Sequence, residues 1–377
     1  MMKYPFPKIK TIRDVMPAIE GRGEFIVAER EWYTVVNYVV AMADTFEMTG
    51  PDDVLGAIRR ECRGLIFNKR GDLVSRPFHK FFNVGERPET GLSSVNFEDA
   101  HQLLEKEDGS MIRPLVDPKG VLYLATKMGV TDIAEDAAKL LSRRQADFLR
   151  HDMVWRGLTP IFEYVSPTNK IVLNYEEPKL ILLAVRNNLT GEYLNVPVPF
   201  FDKVVAHGSV ETKPEDFVET IRKLEGREGV VIRFNDGHMI KVKADEYVRI
   251  HKVKDRIRED RHIADIIVHE EVDDLISILD EVDVKRIRDY ETWFNAGVQR
   301  VVARLNHLME RAHALDGNKK RVALELVPNL AYKQDAKFIF GVLDGKVTDI
   351  RTSVLEYVKT QLGNGARYDA VVEWFGE

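Results

Sequence analysis

The stretch EGVVIRFNDGHMIKVK at residues 228–243 predicts a β-hairpin, and the organisation of the first part of the chain follows from it. A mainly apolar run at 230–234, interrupted by Arg233, leads into an Asn-Asp-Gly turn at 235–237, after which polar and apolar residues alternate. Because every second side chain of a strand points to the same face, Lys241 and Lys243 should lie side by side. The hairpin therefore presents two cations on one surface.

Short runs of Val, Ile, Phe and Tyr extend this strand pattern over about residues 20–250. Residues 32–40 read as one strand, and residues 111–116 and 121–126 as a pair joined by an Asp-Pro-Lys-Gly turn. Residues 132–149 instead have helical spacing. The first part is therefore predicted to be α+β, with antiparallel sheets and helices.

After about residue 250 the apolar spacing becomes helical. Apolar residues recur every three or four positions in one long segment that should end near 316–318: Tyr290, Phe294, Val298, Val301, Leu305 and Leu308. Residues 263–268, 275–279 and 350–362 fit the same pattern. We predict two domains, residues 1–254 and an all-α domain over 255–377.

Composition excludes several classes of protein. The chain has 377 residues, 44% hydrophobic and 31% charged, which is typical of a soluble globular protein. The aliphatic run at 180–185 is far shorter than the roughly 20 residues of a membrane span, and the first residues do not resemble a signal peptide. We expect a cytoplasmic protein with no membrane partner.

The charge and cysteine content exclude two further classes. A formal net charge of −6 disfavours a protein that coats nucleic acid through bulk positive charge, so a polyanion site should be a locally basic groove. Cys62, the single cysteine, permits neither an internal disulfide nor a zinc site built from several cysteines. We expect it to be a small buried side chain.

Lys106-Glu107-Asp108-Gly109 is the candidate for chemistry. A lysine that attacks a nucleotide α-phosphate needs a deprotonated amine, cations around the phosphates, and a backbone that the nucleotide can approach closely. Gly109 meets the last requirement. The tetrapeptide alone is weak evidence, because Lys-x-Asp-Gly arises by chance in roughly one chain in ten of this length.

Segments on both sides of the tetrapeptide strengthen the prediction that Lys106 is the reactive residue, because they follow one another in a particular order. They are ECRGLIF at 61–67, SRPFHKFFN at 75–83, TKMG at 126–129, FEYV at 162–165, SPTNKIVL at 166–173, EG at 228–229 and KVK at 241–243. In this order they resemble the phage RNA ligase 1 family, within the covalent nucleotidyltransferase superfamily. The resemblance covers most of the chain. It implies a nucleotidyltransferase core, of the ATP-grasp-like ligase type, over 1–254.

The resemblance also implies roles for individual residues. Lys106 would form a lysyl-adenylate with ATP. Lys241 and Lys243 would bind the α-phosphate, and Arg63, Lys80 and Lys127 would bind the other phosphates. Glu163 would bind the ribose or a metal, Glu228 would bind the metal, and Phe82 would contact the nucleoside. The metal would be Mg²⁺, with Mn²⁺ as a substitute, since Mg²⁺ uses few protein oxygens together with phosphate.

The implied activity is ATP-dependent joining of RNA 5′-phosphate and 3′-hydroxyl ends by a monomer. Its partners would be single-stranded RNA or broken tRNA ends during phage infection, in the cytoplasm of the infected host cell. The domain at 255–377 would supply tRNA or RNA specificity, through Lys319, Lys320 and Arg321 or through its shape. A free lysine has a pKa near about 10.4, so Lys106 would need the charge of Lys241, Lys243 and the metal to become reactive.

Other interpretations remain open. Arg63 and Lys80, taken singly, could be solvated surface cations, and Phe78, Phe81 and Phe82 as a group could be core aromatics. The nearest functional alternatives are a capping-type guanylyltransferase and a DNA ligase, which share the core motifs. A further alternative, a nucleic-acid-binding protein that has kept the fold without catalysis, predicts no lysyl-adenylate.

Overall fold

The computed structural model describes residues 4–50 and 52–376. The chain divides into two compact units, Met1–Val248 and Arg249–Glu377. All strands of the described residues belong to the first unit, and the described part of the second unit contains helices only. The α+β class and the helical C-terminal region expected from the sequence are therefore confirmed.

Three sheets form the first unit. Their strands are β1 Phe25–Glu29, β2 Tyr33–Tyr38, β3 Arg63–Asn68, β4 Leu73–Ser75, β5 Phe82–Asn83, β6 His101–Glu105, β7 Ser110–Val116, β8 Leu122–Ala125, β9 Leu158–Val165, β10 Lys179–Asn187, β11 Asp202–Lys203, β12 Gly229–Phe234 and β13 Met239–Lys243. The sheet orders are β1-β2-β3-β4, β11-β10-β9-β7-β8 and β5-β13-β12-β6. Neighbours are antiparallel as predicted, except that β11 and β5 add short parallel edges.

Helices flank the sheets and build the second unit. Those that begin before residue 249 are α1 Met16–Ile19, α2 Val54–Glu61, α3 Asp132–Ala138, α4 Arg143–Phe148, α5 Pro214–Arg222 and α6 Asp245–Arg256. The others are α7 Asp260–Val268, α8 Val272–Ile276, α9 Glu281–His313, α10 Lys319–Arg321, α11 Asp335–Leu343, α12 Ile350–Gln361 and α13 Gly365–Phe375. No described helix is long and apolar enough to cross a bilayer.

The predicted helices are right in position but not always in extent. The single helix predicted at 132–149 is two helices, because Ser142 and Gln145 form a capping box that begins α4 anew. The segment predicted at 275–279 is helical only to Ile276. Helix α9 ends before 316–318, where Asp316 and Gly317 have positive φ angles of 59° and 64°.

The predicted hairpin at 228–243 is confirmed as β12 and β13. Val230 pairs with Val242 and Val231 with Lys241 across it. Ile240 and Val242 are buried in the core, whereas Lys241 and Lys243 are half-buried on the opposite face. The two lysines therefore share one face of the sheet, as the alternation predicted.

Each unit has its own apolar core. In the first unit, Ile112 of β7 and Phe162 of β9 pack with Ala134 of α3 and Leu149 on one face of the five-stranded sheet. The neighbouring residues Met111 and Glu163 point to the other face, where they line a cavity. The second unit is organised around α9, whose Phe294, Val298, Val301 and Leu305 are at most 1% exposed.

Candidate active site

The tetrapeptide 106–109 forms the connection between β6 and β7. The backbone N–H of Lys106 donates to the Gly229 carbonyl at 3.0 Å, which ties this connection to β12. The backbone N–H of Gly109 donates to Oε1 of Glu163 at 3.2 Å. A Cβ on Gly109 would lie 2.3 Å from the Tyr164 carbonyl oxygen, so only glycine fits here.

A cavity of about 620 Å³ lies beside this connection, between the β6-β12-β13 face and the β7-β9-β10 face. All the site residues predicted from the sequence line it except two: the lining includes Arg63, Lys80, Lys106, Lys127, Glu163, Lys241 and Lys243. The five predicted cations besides Lys106 come from positions up to 180 residues apart, and Arg233 is a sixth that the sequence did not suggest. The fold gathers all six in the cavity that holds Lys106. The two exceptions are Glu228 and Phe82.

Glu228 lies beneath the nucleophile candidate and contacts it directly. Its Oε1 is 2.6 Å from Nζ of Lys106 and 2.9 Å from Nζ of Lys243. The residue is only 3% exposed, whereas the Lys106 side chain remains 22% exposed. In this state Glu228 therefore neutralises two lysines, a contact that its predicted metal role did not include.

Phe82 lies outside the cavity. It is 2% exposed and packs in the core with Val36 and Phe46, while Phe78 and Phe81 line the cavity. The reason is strand register: Phe82 on β5 pairs with Ile240, which faces the core, whereas Asn83 pairs with Lys241. The placement of Phe82 at the nucleoside is therefore not supported by its position.

Burial and mutual repulsion shape the charges of the cavity. Burial, followed by the nearby charges of Lys106, Arg63 and Lys80, lowers the pKa of Lys241 to about 7. Burial also lowers the pKa of Lys80. For Glu163, burial raises the pKa to about 8, with Lys106 opposing the shift and Glu228 adding to it. The cavity is thus a cationic, partly dehydrated site suited to phosphates.

Asp108 makes contacts that its place in the tetrapeptide did not predict. This residue is 2% exposed, and its Oδ2 accepts hydrogen bonds from the backbone N–H groups of Val172 and Leu173, both at 2.8 Å. Its Oδ1 accepts one from the Tyr247 hydroxyl at 2.6 Å. Asp108 therefore joins the nucleophile connection to two distant segments, and only the structure could reveal those partners.

Tyr38 is a second residue that the sequence did not reveal. Its ring lies 5.5 Å from Nζ of Lys80 and 5.6 Å from Nζ of Lys127, measured to the ring centre. Burial raises the pKa of Tyr38, but Arg63, Lys80 and Lys127 outweigh it and leave the pKa below its ordinary value. Its only sequence signal was its place at the end of a strand.

A buried ion triad positions the segments at 61–67 and 75–83. The Glu61 carboxylate contacts Arg76 at 2.9 Å and Arg186 at 2.8 Å, and all three residues are at most 1% exposed. Burial opposes ionisation, but Arg186 and Arg76 hold the pKa of Glu61 well below its usual range. Cys62 beside it is fully buried, as predicted.

The donor set permits a divalent cation next to Lys106. The described residues contain no cluster of three or more His, Cys, Asp or Glu side chains that could hold a metal by themselves. Two carboxylates, Glu163 and Glu228, do lie near the Lys106 amine. Mg²⁺ commonly uses one or two carboxylates and takes its remaining ligands from phosphate and water, so this pair fits it.

Comparisons with known proteins agree with this geometry. The family model described as RNA ligase matches residues 61–247. A Thermovibrio ammonificans protein named “Putative RNA ligase” is 31% identical over 291 residues, which is 73% of this chain and 73% of that protein. The chain therefore belongs to the RNA ligase family. The resemblance drawn from the ordered motifs is confirmed.

Two further matches are more distant. RNA ligase 1 of bacteriophage TS2126 is 29% identical over 219 residues, which is 54% of this chain and 52% of the phage protein. Among solved structures, an archaeal ATP-dependent RNA ligase is 15% identical, with a TM-score of 0.44, over 88% of this chain and 95% of its own.

Proposed function

We propose that this chain is an ATP-dependent RNA ligase that joins 5′-phosphate and 3′-hydroxyl RNA ends through a lysyl-AMP on Lys106. The observation that carries the proposal is the position of Lys106: its amine lies in a cavity lined by six further cations. A nucleoside triphosphate needs such neutralisation when its α-phosphate is attacked. A simple nucleic-acid-binding surface would not require a half-buried lysine at its centre.

The proposed ligation has three steps. The Lys106 amine attacks the α-phosphorus of ATP, the P–N bond forms, and the bond to the β-phosphate oxygen breaks to release pyrophosphate. An oxygen of the RNA 5′-phosphate then attacks the same phosphorus, which frees Lys106 and leaves a 5′–5′ pyrophosphate link. Finally the 3′-hydroxyl attacks the RNA phosphorus, loses its proton, and releases AMP.

The residues of the cavity can divide this work. Lys106 must separate from Glu228 and lose a proton before it attacks, and Lys241 and Lys243 can then hold the α-phosphate oxygens. Arg63, Lys80 and Lys127 can hold the departing phosphates. Mg²⁺, or Mn²⁺ in its place, would be held by Glu163 and Glu228 and would neutralise phosphate charge when bound.

We also propose that the substrate is single-stranded RNA or a broken tRNA end, in RNA repair during phage infection, and that the enzyme acts as a monomer. The second unit would contribute specificity for tRNA. The cations expected to serve it are partly neutralised, because Lys319 pairs with Asp344 and Arg321 lies 3.0 Å from Glu325. Recognition by shape is therefore favoured over recognition by charge.

The alternative functions predict a different nucleotide in the covalent adduct or a different nucleic acid substrate. A capping-type guanylyltransferase would form its adduct with GTP, and many DNA ligases close nicks with a strand-rich OB-fold domain. The second unit contains no strand among its described residues, which disfavours that arrangement.

The test first incubates the protein with ATP or GTP that carries a label in the α-phosphate. It then supplies either a 5′-phosphorylated single-stranded RNA or a nicked duplex for joining. We expect an adduct with ATP and joining of the single-stranded RNA. An adduct with GTP alone, or joining of the nicked duplex alone, would contradict the proposal.

A further inference from the structure

Two apolar side chains, Met128 and Ile133, lie at the rim of the active-site cavity next to Lys127. All three residues line the cavity. Ile133 is 39% exposed, Met128 is half-buried, and Lys127 has no carboxylate within 4.0 Å in the described part of the chain. Apolar groups that stay exposed where a ligand enters suggest a contact surface rather than scattered surface residues.

The backbone that carries this rim is rigidly held. The N–H of Thr126 donates to the Gly129 carbonyl at 2.8 Å, and the N–H of Gly129 donates back at 3.0 Å. Gly129 has a φ of +100°, and a Cβ there would lie 2.5 Å from the Tyr33 hydroxyl oxygen. Nδ2 of Asn37 lies 3.0 Å from the sulfur of Met128. The rim is thus ordered before any ligand arrives.

The chemistry of the cavity fixes which substrate reaches the rim. Leu104, which lines the cavity with Leu183 and Val204, lies on β6 at one edge of the sheet β5-β13-β12-β6 and supplies apolar surface that suits the base of ATP. Lys80 lies just before β5 at the opposite edge, and Lys127 lies near it, since both amines are within 5.6 Å of the centre of the Tyr38 ring. In-line displacement puts the entering group opposite the leaving group. When a 5′-phosphate attacks the lysyl-AMP, Lys106 is the leaving group. The 5′-phosphate therefore enters where pyrophosphate departed, beside Lys127.

We infer that Met128 and Ile133 bind the terminal base of the RNA strand that carries the 5′-phosphate, while Lys127 holds that phosphate. This inference rests on the proposed function. The terminal nucleoside extends outward from its phosphate and therefore meets the rim. Single-stranded RNA commonly places unstacked bases on apolar or aromatic side chains, which tolerates any base sequence.

The charges around Ile133 support contact with a base rather than with a phosphate. Asp132 and Glu135 are exposed on the same helix, α3, and would repel a phosphate. The uncharged face of a base avoids that repulsion. A thioether such as Met128 adapts to different flat surfaces, which suits an enzyme that must accept ends of any sequence.

The test separates the transfer of AMP to RNA from the formation of the adduct. Wild type, Ile133→Ala, Ile133→Leu and the control Val121→Ala are first adenylylated with ATP, then mixed with a short 5′-phosphorylated single-stranded RNA over a range of concentrations. Val121 is 47% exposed and is not among the cavity-lining residues. We expect Ile133→Ala to raise the half-saturating RNA concentration by roughly tenfold through the loss of apolar contact area.

The half-saturating RNA concentrations of Ile133→Leu and Val121→Ala should stay within about twofold of that of wild type, and any slowing of adduct formation in Ile133→Ala should be smaller than its effect on transfer. Equal half-saturating RNA concentrations for Ile133→Ala and Val121→Ala would overturn the inference. So would an Ile133→Ala variant that slows adduct formation as much as it slows transfer. Absence of the adduct in every protein would overturn the proposed function and this inference together.

Discussion

Glu228 uses one carboxylate oxygen to contact two lysines, Lys106 at 2.6 Å and Lys243 at 2.9 Å. A nearly buried carboxylate between two ammonium groups holds both in place, and its removal would leave two cations without a counter-ion. Under the proposed mechanism, Lys106 would have to leave this triad before it attacks ATP. At the scale of single residues, the proposed nucleophile Lys106 is therefore held in place by an ion pair with Glu228.

Glu163 gives a prediction about pH. Burial raises its pKa to about 8 in the folded protein, above the ordinary value of 4.5. At pH values between these two pKa values, the folded protein binds one proton more at Glu163 than the unfolded protein does. The free energy of unfolding should therefore fall as the pH rises from about 5 to about 8, and this carboxyl group should cause no further fall above pH 8. Glu163→Gln lacks the titrating group and should not show this fall.

Denaturant titrations of both proteins at several pH values, without divalent cations, measure this effect. The free energy of unfolding of Glu163→Gln minus that of wild type should become more positive as the pH rises to about 8. A difference that does not change with pH would contradict the raised pKa of Glu163.

The cations that line the cavity were easier to predict from the sequence than the aromatic residues beside them. Lys127 and Lys241 stood in ordered motifs, and motif order does not depend on knowing the fold. Phe82 was misplaced because Phe81 and Phe82 are equivalent in composition and differ only in strand register, which β5 acquires by pairing with β13. A two-residue strand carries too short a pattern to reveal that register.

At the scale of elements, Asp108 connects three parts of the first unit. It lies in the β6–β7 connection, accepts two backbone hydrogen bonds from residues 172 and 173, and accepts a third from Tyr247 near the start of α6. Lys243 lies 4.9 Å from the centre of the Tyr247 ring. The position of the Lys106 loop is therefore coupled to that of the segment that follows β13.

Tyr247→Phe tests this coupling, because it keeps the ring under Lys243 and removes the hydroxyl bound to Asp108. We expect the free energy of unfolding to fall by about 1–2 kcal/mol and adduct formation to slow, with a smaller change in the ATP concentration for half-saturation. Stopped reactions with labelled ATP and denaturant titration measure the two effects.

Tyr123→Phe is the matched control, since the Tyr123 hydroxyl makes no hydrogen bond to the described residues. Adduct formation by Tyr247→Phe at the rate of this control would contradict a positioning role for the hydrogen bond.

Elements with a long repeating pattern were predicted well. The polar–apolar alternation in the hairpin at 228–243 and the apolar spacing of three or four residues along α9 both continue over many residues. The break inside 132–149 was missed because the apolar spacing was read across it, although Ser142 and Gln145 have the spacing of a capping box, which begins a new helix. The partners of Asp108 lie 64 to 139 positions away, and no local pattern encodes such contacts.

At the scale of the whole molecule, the residues of the candidate site all belong to one unit. Every residue that lines the active-site cavity lies between Arg63 and Lys243, within Met1–Val248. The second unit has its own buried core around α9, including Phe294 and Trp374. We therefore propose that adduct chemistry and RNA selection belong to separate parts of the chain.

A chain shortened to residues 1–256, which keeps all of α6, should form the adduct with ATP at a rate close to that of the full chain. It should lose any preference for broken tRNA over unstructured RNA, because the proposed specificity unit is gone. Adduct formation and competition between the two RNAs measure these effects. A folded 1–256 protein without adduct formation, or with undiminished tRNA preference, would contradict this division.

The central claim is that Lys106 is the nucleophile. The most direct test is to incubate the protein with ATP and a divalent cation, without RNA, and to map the added AMP by peptide mass spectrometry in wild type, Lys106→Ala and the surface control Lys119→Ala. We predict one AMP on Lys106 in wild type and in Lys119→Ala, and none in Lys106→Ala. AMP on another residue, or an undiminished adduct in Lys106→Ala, would contradict the account.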